Sequence, residues 1–214
     1  MKKFMTLMAI ALASLGMAAA SNAAPIAQWE LGLVLTRNPD PKEGATLYAP
    51  CAACHGVNGE GATDGTVPAL AGQSYTVVAK QLVDFRAGVR HDERMEHFSD
   101  RRHLSFSQPV ADVAIYIAGL PPVAASNGPA GSNLAQGAMA YARACARCHG
   151  ELGEGKEDTL APRLAGQHSE YLLKQLAAAT NGVRPAMATS HARPALSEDE
   201  RSAVAAYLST LGAG

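Results

Sequence analysis

All four cysteines of the chain fall in two copies of one five-residue pattern, Cys51-Ala-Ala-Cys54-His55 and Cys145-Ala-Arg-Cys148-His149. C-x-x-C-H is the signature of covalent haem attachment. Two thiols three positions apart reach both vinyl groups of one porphyrin, and the histidine that follows is carried under the iron as its proximal axial ligand. Two other chemistries use Cys-x-x-Cys pairs. A thioredoxin-type redox site needs neither the trailing histidine nor a second copy. A four-cysteine zinc site needs the two pairs brought together. Neither accounts for His55 and His149. The pattern therefore predicts two covalently bound haem c groups, with Cys51, Cys54, Cys145 and Cys148 as thioether donors and His55 and His149 on the iron.

The opposite face of each haem takes methionine or histidine when the iron is six-coordinate, and methionine raises the potential. Beyond the N-terminal apolar run the methionines are Met95, Met139 and Met187. Met139 precedes the second cysteine motif and reads as packing. Met95 and Met187 each lie nine residues before a Leu-Ser pair, in matched positions. They are the expected distal iron ligands. His97 and His103 follow Met95 and His191 follows Met187, but out of register, so these read as surface side chains, as do His91 and His168. Pro68 and Pro162 each fall thirteen residues after a motif histidine. Their carbonyls are placed to accept the imidazole Nδ1–H and so orient the ring; a plain turn proline is the alternative. Arg90 and Arg184 read equally as propionate partners or as solvated arginines. No residue is expected to be catalytic.

The elements that must position these groups repeat with an offset close to 94 residues. Gly56, Gly59, Glu60 and Gly61 match Gly150, Gly153, Glu154 and Gly155, and Leu70-Ala71-Gly72-Gln73 matches Leu164-Ala165-Gly166-Gln167. Lys80-Gln81-Leu82 matches Lys174-Gln175-Leu176, and Gly88-Val89-Arg90 matches Gly182-Val183-Arg184. A domain of roughly 90 residues has been duplicated in tandem; alone it is small for a hydrophobic core. Each half reads as helical. Asp40-Pro41-Lys42-Glu43 supplies an N-cap, a proline in the first turn and a capping-box glutamate. Asn133 takes the equivalent place in the second half. Tyr75 to Ala87 and Ser169 to Ala179 carry apolar residues at helical spacing. A last helix begins near Ser105 or Ser107, and another at the capping box Ser197-Glu198-Asp199-Glu200.

Residues 1–24 read as an export signal: Lys2 and Lys3, an apolar run from Phe4 to Ala20, then a small-residue cleavage site at Ser21-Asn22-Ala23. The run is short for a membrane anchor. Residues 25–40 are an unmatched strap, and 41–120 and 133–214 are the two domains. Residues 121–132 form a Pro/Gly/Ser-rich linker. The formal charge of −1 falls to about −3 without Lys2 and Lys3, which argues against nucleic acid or an anionic membrane as partner. Nothing after the signal is expected to insert stably into a membrane.

With the two motifs, the paired methionines and the repeated Leu-Ala-Gly-Gln and Lys-Gln-Leu runs placed, the chain resembles the diheme cytochromes of the cytochrome c4 type from about residue 41 onward. The resemblance implies an all-α protein of two tandem class I cytochrome c domains with His/Met ligation in both. It also implies a periplasmic carrier of single electrons, with a respiratory dehydrogenase, oxidase or reductase as redox partner. Two features depart from that pattern: the segment before Asp40, and the polar, charged stretch from Glu96 to His103. The competing functions are a haem enzyme, such as a diheme peroxidase or thiosulfate-oxidising cytochrome, and an electron-transfer subunit of a larger complex. An enzyme of that kind needs an open iron, or an unusual ligand, beside acid–base groups.

Overall fold

A computed structural model describes residues 23–123, 129, 131–180 and 196–212. Residues 23–35 form helix α1. It is followed by α2 Pro41–His55, α3 Tyr75–Arg86, α4 Glu93–Ser99 and α5 Ser107–Ala118, then α6 Leu134–Ala144, α7 Ala146–His149, α8 Ser169–Thr180 and α9 Glu198–Ser209. Among the described residues β pairing is confined to one isolated bridge, Lys156 with Ala161.

Side chains cap the starts of α2, α4, α6 and α9, with one difference from expectation. Asp40 accepts from the N–H groups of Lys42 at 2.8 Å and Glu43 at 3.4 Å. Its own N–H does not go to Glu43, as a capping box would require. It donates to Asp112 Oδ1 in α5 at 2.8 Å, so this cap joins the first and last helices of its half. At α9 the box is complete: Glu200 N–H donates to Ser197 Oγ at 3.1 Å and Ser197 N–H to Glu200 Oε2 at 2.9 Å. Met95 lies inside α4, a short helix that Asp92 caps through the N–H groups of Arg94 and Met95.

Each half closes around a crossing of its first and last helices. A Cβ on Gly44 of α2 would stand 2.0 Å from the Asp112 carbonyl oxygen, and one on Gly137 of α6 would stand 2.1 Å from that of Ala203. Glycine is what lets the backbones approach so closely. Beside each crossing two tyrosines meet, Tyr48 with Tyr116 at 5.3 Å and Tyr141 with Tyr207 at 6.0 Å between ring centroids. The cores are separate. Val83, Val110 and Val113 lie in one, and Tyr141, Val204 and Leu208 in the other.

The segment expected as a strap is largely helix. α1 buries Ala27 and Val34 against the first core. Its Glu30, 1% exposed, pairs with Arg86 and, at 3.4 Å, with Arg101. Of the expected linker, residues 121–123, 129, 131 and 132 are described, and none is helical.

Candidate haem sites

α2 delivers Cys51, Cys54 and His55 in its final turns, and α6 with α7 delivers Cys145, Cys148 and His149. The loop that follows is built the same way twice. Gly61 N–H donates to the His55 carbonyl at 2.8 Å, and Gly155 N–H to that of His149 at 2.7 Å. Leu70 N–H reaches the Gly59 carbonyl, and Leu164 N–H that of Gly153, both at 2.7 Å. This returns Pro68 and Pro162 to the histidines: Nδ1 lies 3.0 Å from the Pro68 oxygen in His55 and 2.9 Å from the Pro162 oxygen in His149. A carbonyl only accepts, so Nδ1 carries the proton and Nε2 keeps its lone pair for a metal.

Burial lowers the His55 pKa, partly opposed by the Pro68 hydrogen bond, which favours the neutral, ligating ring. Burial pushes the Cys51 thiol up and the Cys145 thiol to about 11, the latter with help from Cys148. Such thiols lack the thiolate character of redox-active cysteines. Cys51 packs on the first core and Cys145 on the second, so the two pairs do not assemble one four-cysteine site.

In the first half these groups face a cavity of about 260 Å³, lined by Cys51, Cys54, His55 and Met95 among aliphatic and aromatic side chains. An apolar cavity with two thiols, an imidazole lone pair and a thioether fits a covalent haem and does not suit a hard cation. Met95 lines the cavity, whereas His97 and His103 do not. Their rings meet each other at 4.6 Å, and His103 Nδ1 is 3.0 Å from Asp100. His91 reaches the cavity, and its Nδ1 lies 3.2 Å from Glu96. Arg86 fixes the surrounding turns, donating to the carbonyls of Ser99 at 2.7 Å and Leu104 at 2.6 Å as well as to Glu30. Met187, Arg184 and His191 lie outside the described residues.

The cavity continues to the boundary between the halves, where polar side chains do the joining. Arg90 stacks over Phe85 at 4.4 Å and donates to Gln81, to Tyr171 Oη at 2.6 Å and to Gln175 Oε1 at 3.2 Å. All of these partners are neutral. His168, expected at the surface, donates from Nε2 to the Glu60 carbonyl at 2.7 Å. Lys174 Nζ donates to the Gly65 carbonyl at 3.1 Å. Gln73 and Gln167, repeat mates, each bond backbone of the opposite half. The available signal for them was a polar side chain kept in register at the end of an apolar run.

A paired-domain helical fold with two matched Cys-Cys-His sites is the architecture of a tandem cytochrome c. The cytochrome c family model matches residues 41–120 and 134–212, and the chain belongs to that family. It is a diheme electron-transfer cytochrome whose two domains bind covalently attached haem c. Among relatives it is similar to cytochrome c4 of Azotobacter vinelandii, 32% identical over 164 residues that cover 68% of this chain and 74% of the relative. It is also similar to the thiosulfate dehydrogenase electron acceptor of Stutzerimonas stutzeri (strain A1501), 34% identical over 200 residues, 84% of this chain and 91% of the relative. Among solved structures it resembles reduced cytochrome c4 from Pseudomonas stutzeri, with a TM-score of 0.67 at 29% identity, covering 81% of this chain and all of that one.

Proposed function

We propose that the chain is an exported carrier that passes single electrons between redox proteins through two closed His/Met haem sites. Cys51, Cys54, Cys145 and Cys148 hold the porphyrins by thioether bonds. His55 and His149 are the proximal ligands, oriented by the carbonyls of Pro68 and Pro162. Met95 and Met187 take the distal positions. The observation that carries this reading is the paired hydrogen bond from each motif histidine to a proline carbonyl thirteen residues on, at 3.0 and 2.9 Å; it fixes the ring proton on Nδ1 in both halves. When bound, the haem supplies a one-electron couple. The chain's part is to keep the ligand set unchanged through the redox cycle and to exclude a substrate from the iron. The guanidinium of Arg90, whose partners are neutral, supplies a cation for a propionate at the domain boundary.

Lys2, Lys3 and the apolar run after them support export to the periplasm. No helix among the described residues is long and apolar enough to cross a membrane. The relative named as an electron acceptor of thiosulfate dehydrogenase supports a dehydrogenase as donor, with an oxidase or reductase as acceptor.

Spectroelectrochemical titration of the purified holoprotein tests the reading. Two haems per chain are expected, each with the weak near-infrared sulfur–iron band. Met95→Ala and Met187→Ala each remove one haem's band and lower that haem's potential, since methionine ligation raises it. Rapid, stoichiometric carbon monoxide binding by the reduced wild type at neutral pH would show an open iron and favour the enzyme.

A further inference from the structure

The histidine-to-carbonyl bond of each half is continued across the domain boundary by a glutamine of the other half. His55 donates to the oxygen of the Pro68–Ala69 peptide, and the N–H of that same peptide donates to Gln167 Oε1 at 2.9 Å. Gln167 Nε2 returns to the Ala69 carbonyl at 2.9 Å. The arrangement repeats in reverse. His149 donates to the oxygen of the Pro162–Arg163 peptide, whose N–H donates to Gln73 Oε1 at 3.1 Å, while Gln73 Nε2 donates to the Arg163 carbonyl at 2.6 Å. Gln167 is 7% exposed, and both of its bonds to Ala69 are buried.

We propose that Gln73 and Gln167 are positioning residues that act crosswise, each setting the acceptor strength of the carbonyl that holds the opposite domain's axial histidine. The proposal rests on the assignment of His55 and His149 as iron ligands. A peptide hydrogen-bonded at its N–H becomes polarised, and its carbonyl accepts more strongly. A stronger acceptor on Nδ1–H raises the basicity of the ring nitrogen on the metal. That favours the oxidised iron and holds the potential down. A polar link of this kind also makes each potential depend on whether the domains are docked.

The test uses the full-length holoprotein carrying Gln167→Met or Gln73→Met, which keep length and remove both polar atoms. Each haem's potential is followed together with the paramagnetically shifted NMR signal of each axial Nδ1–H, assigned through the loss of one haem's signature in Met95→Ala. Gln167→Met is expected to raise the potential of the first-half haem and shift the His55 signal, leaving those of the second half in place. Gln73→Met should do the reverse. The expected size is about a threefold change in the oxidised-to-reduced ratio at fixed potential, or about 28 mV at 59 mV per tenfold for one electron. Gln167→Glu keeps an acceptor opposite the Ala69 N–H and should move the first potential less than Gln167→Met. Movement of the mutated half's own haem, no movement of either, or equal movement in the Met and Glu variants would overturn the proposal. Absence of shifted ring signals in the wild type would instead refute the ligand assignment beneath it.

Discussion

Asp100 organises part of the polar stretch from Glu96 to His103. Burial raises its pKa, but hydrogen bonds from the His103 ring, from the Arg102 backbone and side chain, and from the His103 backbone outweigh this and hold it at about 2. Asp100, Arg102 and His103 therefore satisfy one another, with contacts of 3.0 Å, and none of the three lines the cavity. A carboxyl depressed from 3.8 to about 2 supports the fold fully above pH about 4 and loses that support as pH falls toward 2. Asp100→Asn should remove that step. Amide protection relative to the intrinsic exchange rate over residues 99–104 is expected to fall between pH 4 and 2 in the wild type, and to be low already at pH 7 in the variant. Read from sequence, the stretch was only unusual. Which charges find each other depends on the turn that Arg86 holds through the Ser99 and Leu104 carbonyls.

At the scale of the helices, capping and periodicity gave most starts and ends, because both are set by neighbours a few residues away. The Ser197 box and the limits of α3 and α8 follow that logic. The crossings do not. A glycine within a helix reads as a tolerated weakness, and only the distance to the Asp112 or Ala203 carbonyl makes Gly44 and Gly137 requirements. Gly137→Ala and Gly44→Ala should each destabilise their own domain by about 1–3 kcal/mol, the usual cost of overpacking. Gly32 in α1 meets nothing within 4 Å of its added Cβ, so Gly32→Ala is expected to be neutral or to stabilise by up to about 1 kcal/mol. Denaturant midpoints of the three variants check both statements; equal effects at Gly32 and Gly137 would contradict the close crossing.

At the scale of the molecule, two cores meet across a boundary of directed polar bonds beside one shared cavity. Gln73, Gln167, Arg90 and His168 make bonds to named partners, and the two apolar clusters stay separate. Domains joined in this way unfold as distinct units unless a large apolar interface couples them. Calorimetry of the holoprotein should therefore resolve two transitions. The first half should melt later, since α1 adds Ala27 and Val34 to its core and the buried Glu30–Arg86 pair. A single transition with equal calorimetric and van't Hoff enthalpies would show a boundary far stronger than its contacts imply.

The duplication, the helical class and the cofactor, through its two Cys-x-x-Cys-His motifs, could all be read from the sequence alone. Each rests on spacing along the chain, which local geometry converts directly into position. The proline carbonyls were legible as candidates for the same reason. What tertiary structure decided is everything joined across distance: Met95, rather than His97 or His103, on the first cavity, α1 locked by Glu30 and Arg86, and a histidine read as surface placed between domains. Gln73 and Gln167 belong to this group. Their side chains matter for the backbone they reach in the other half, 90 and 98 residues away, and no local pattern records that contact.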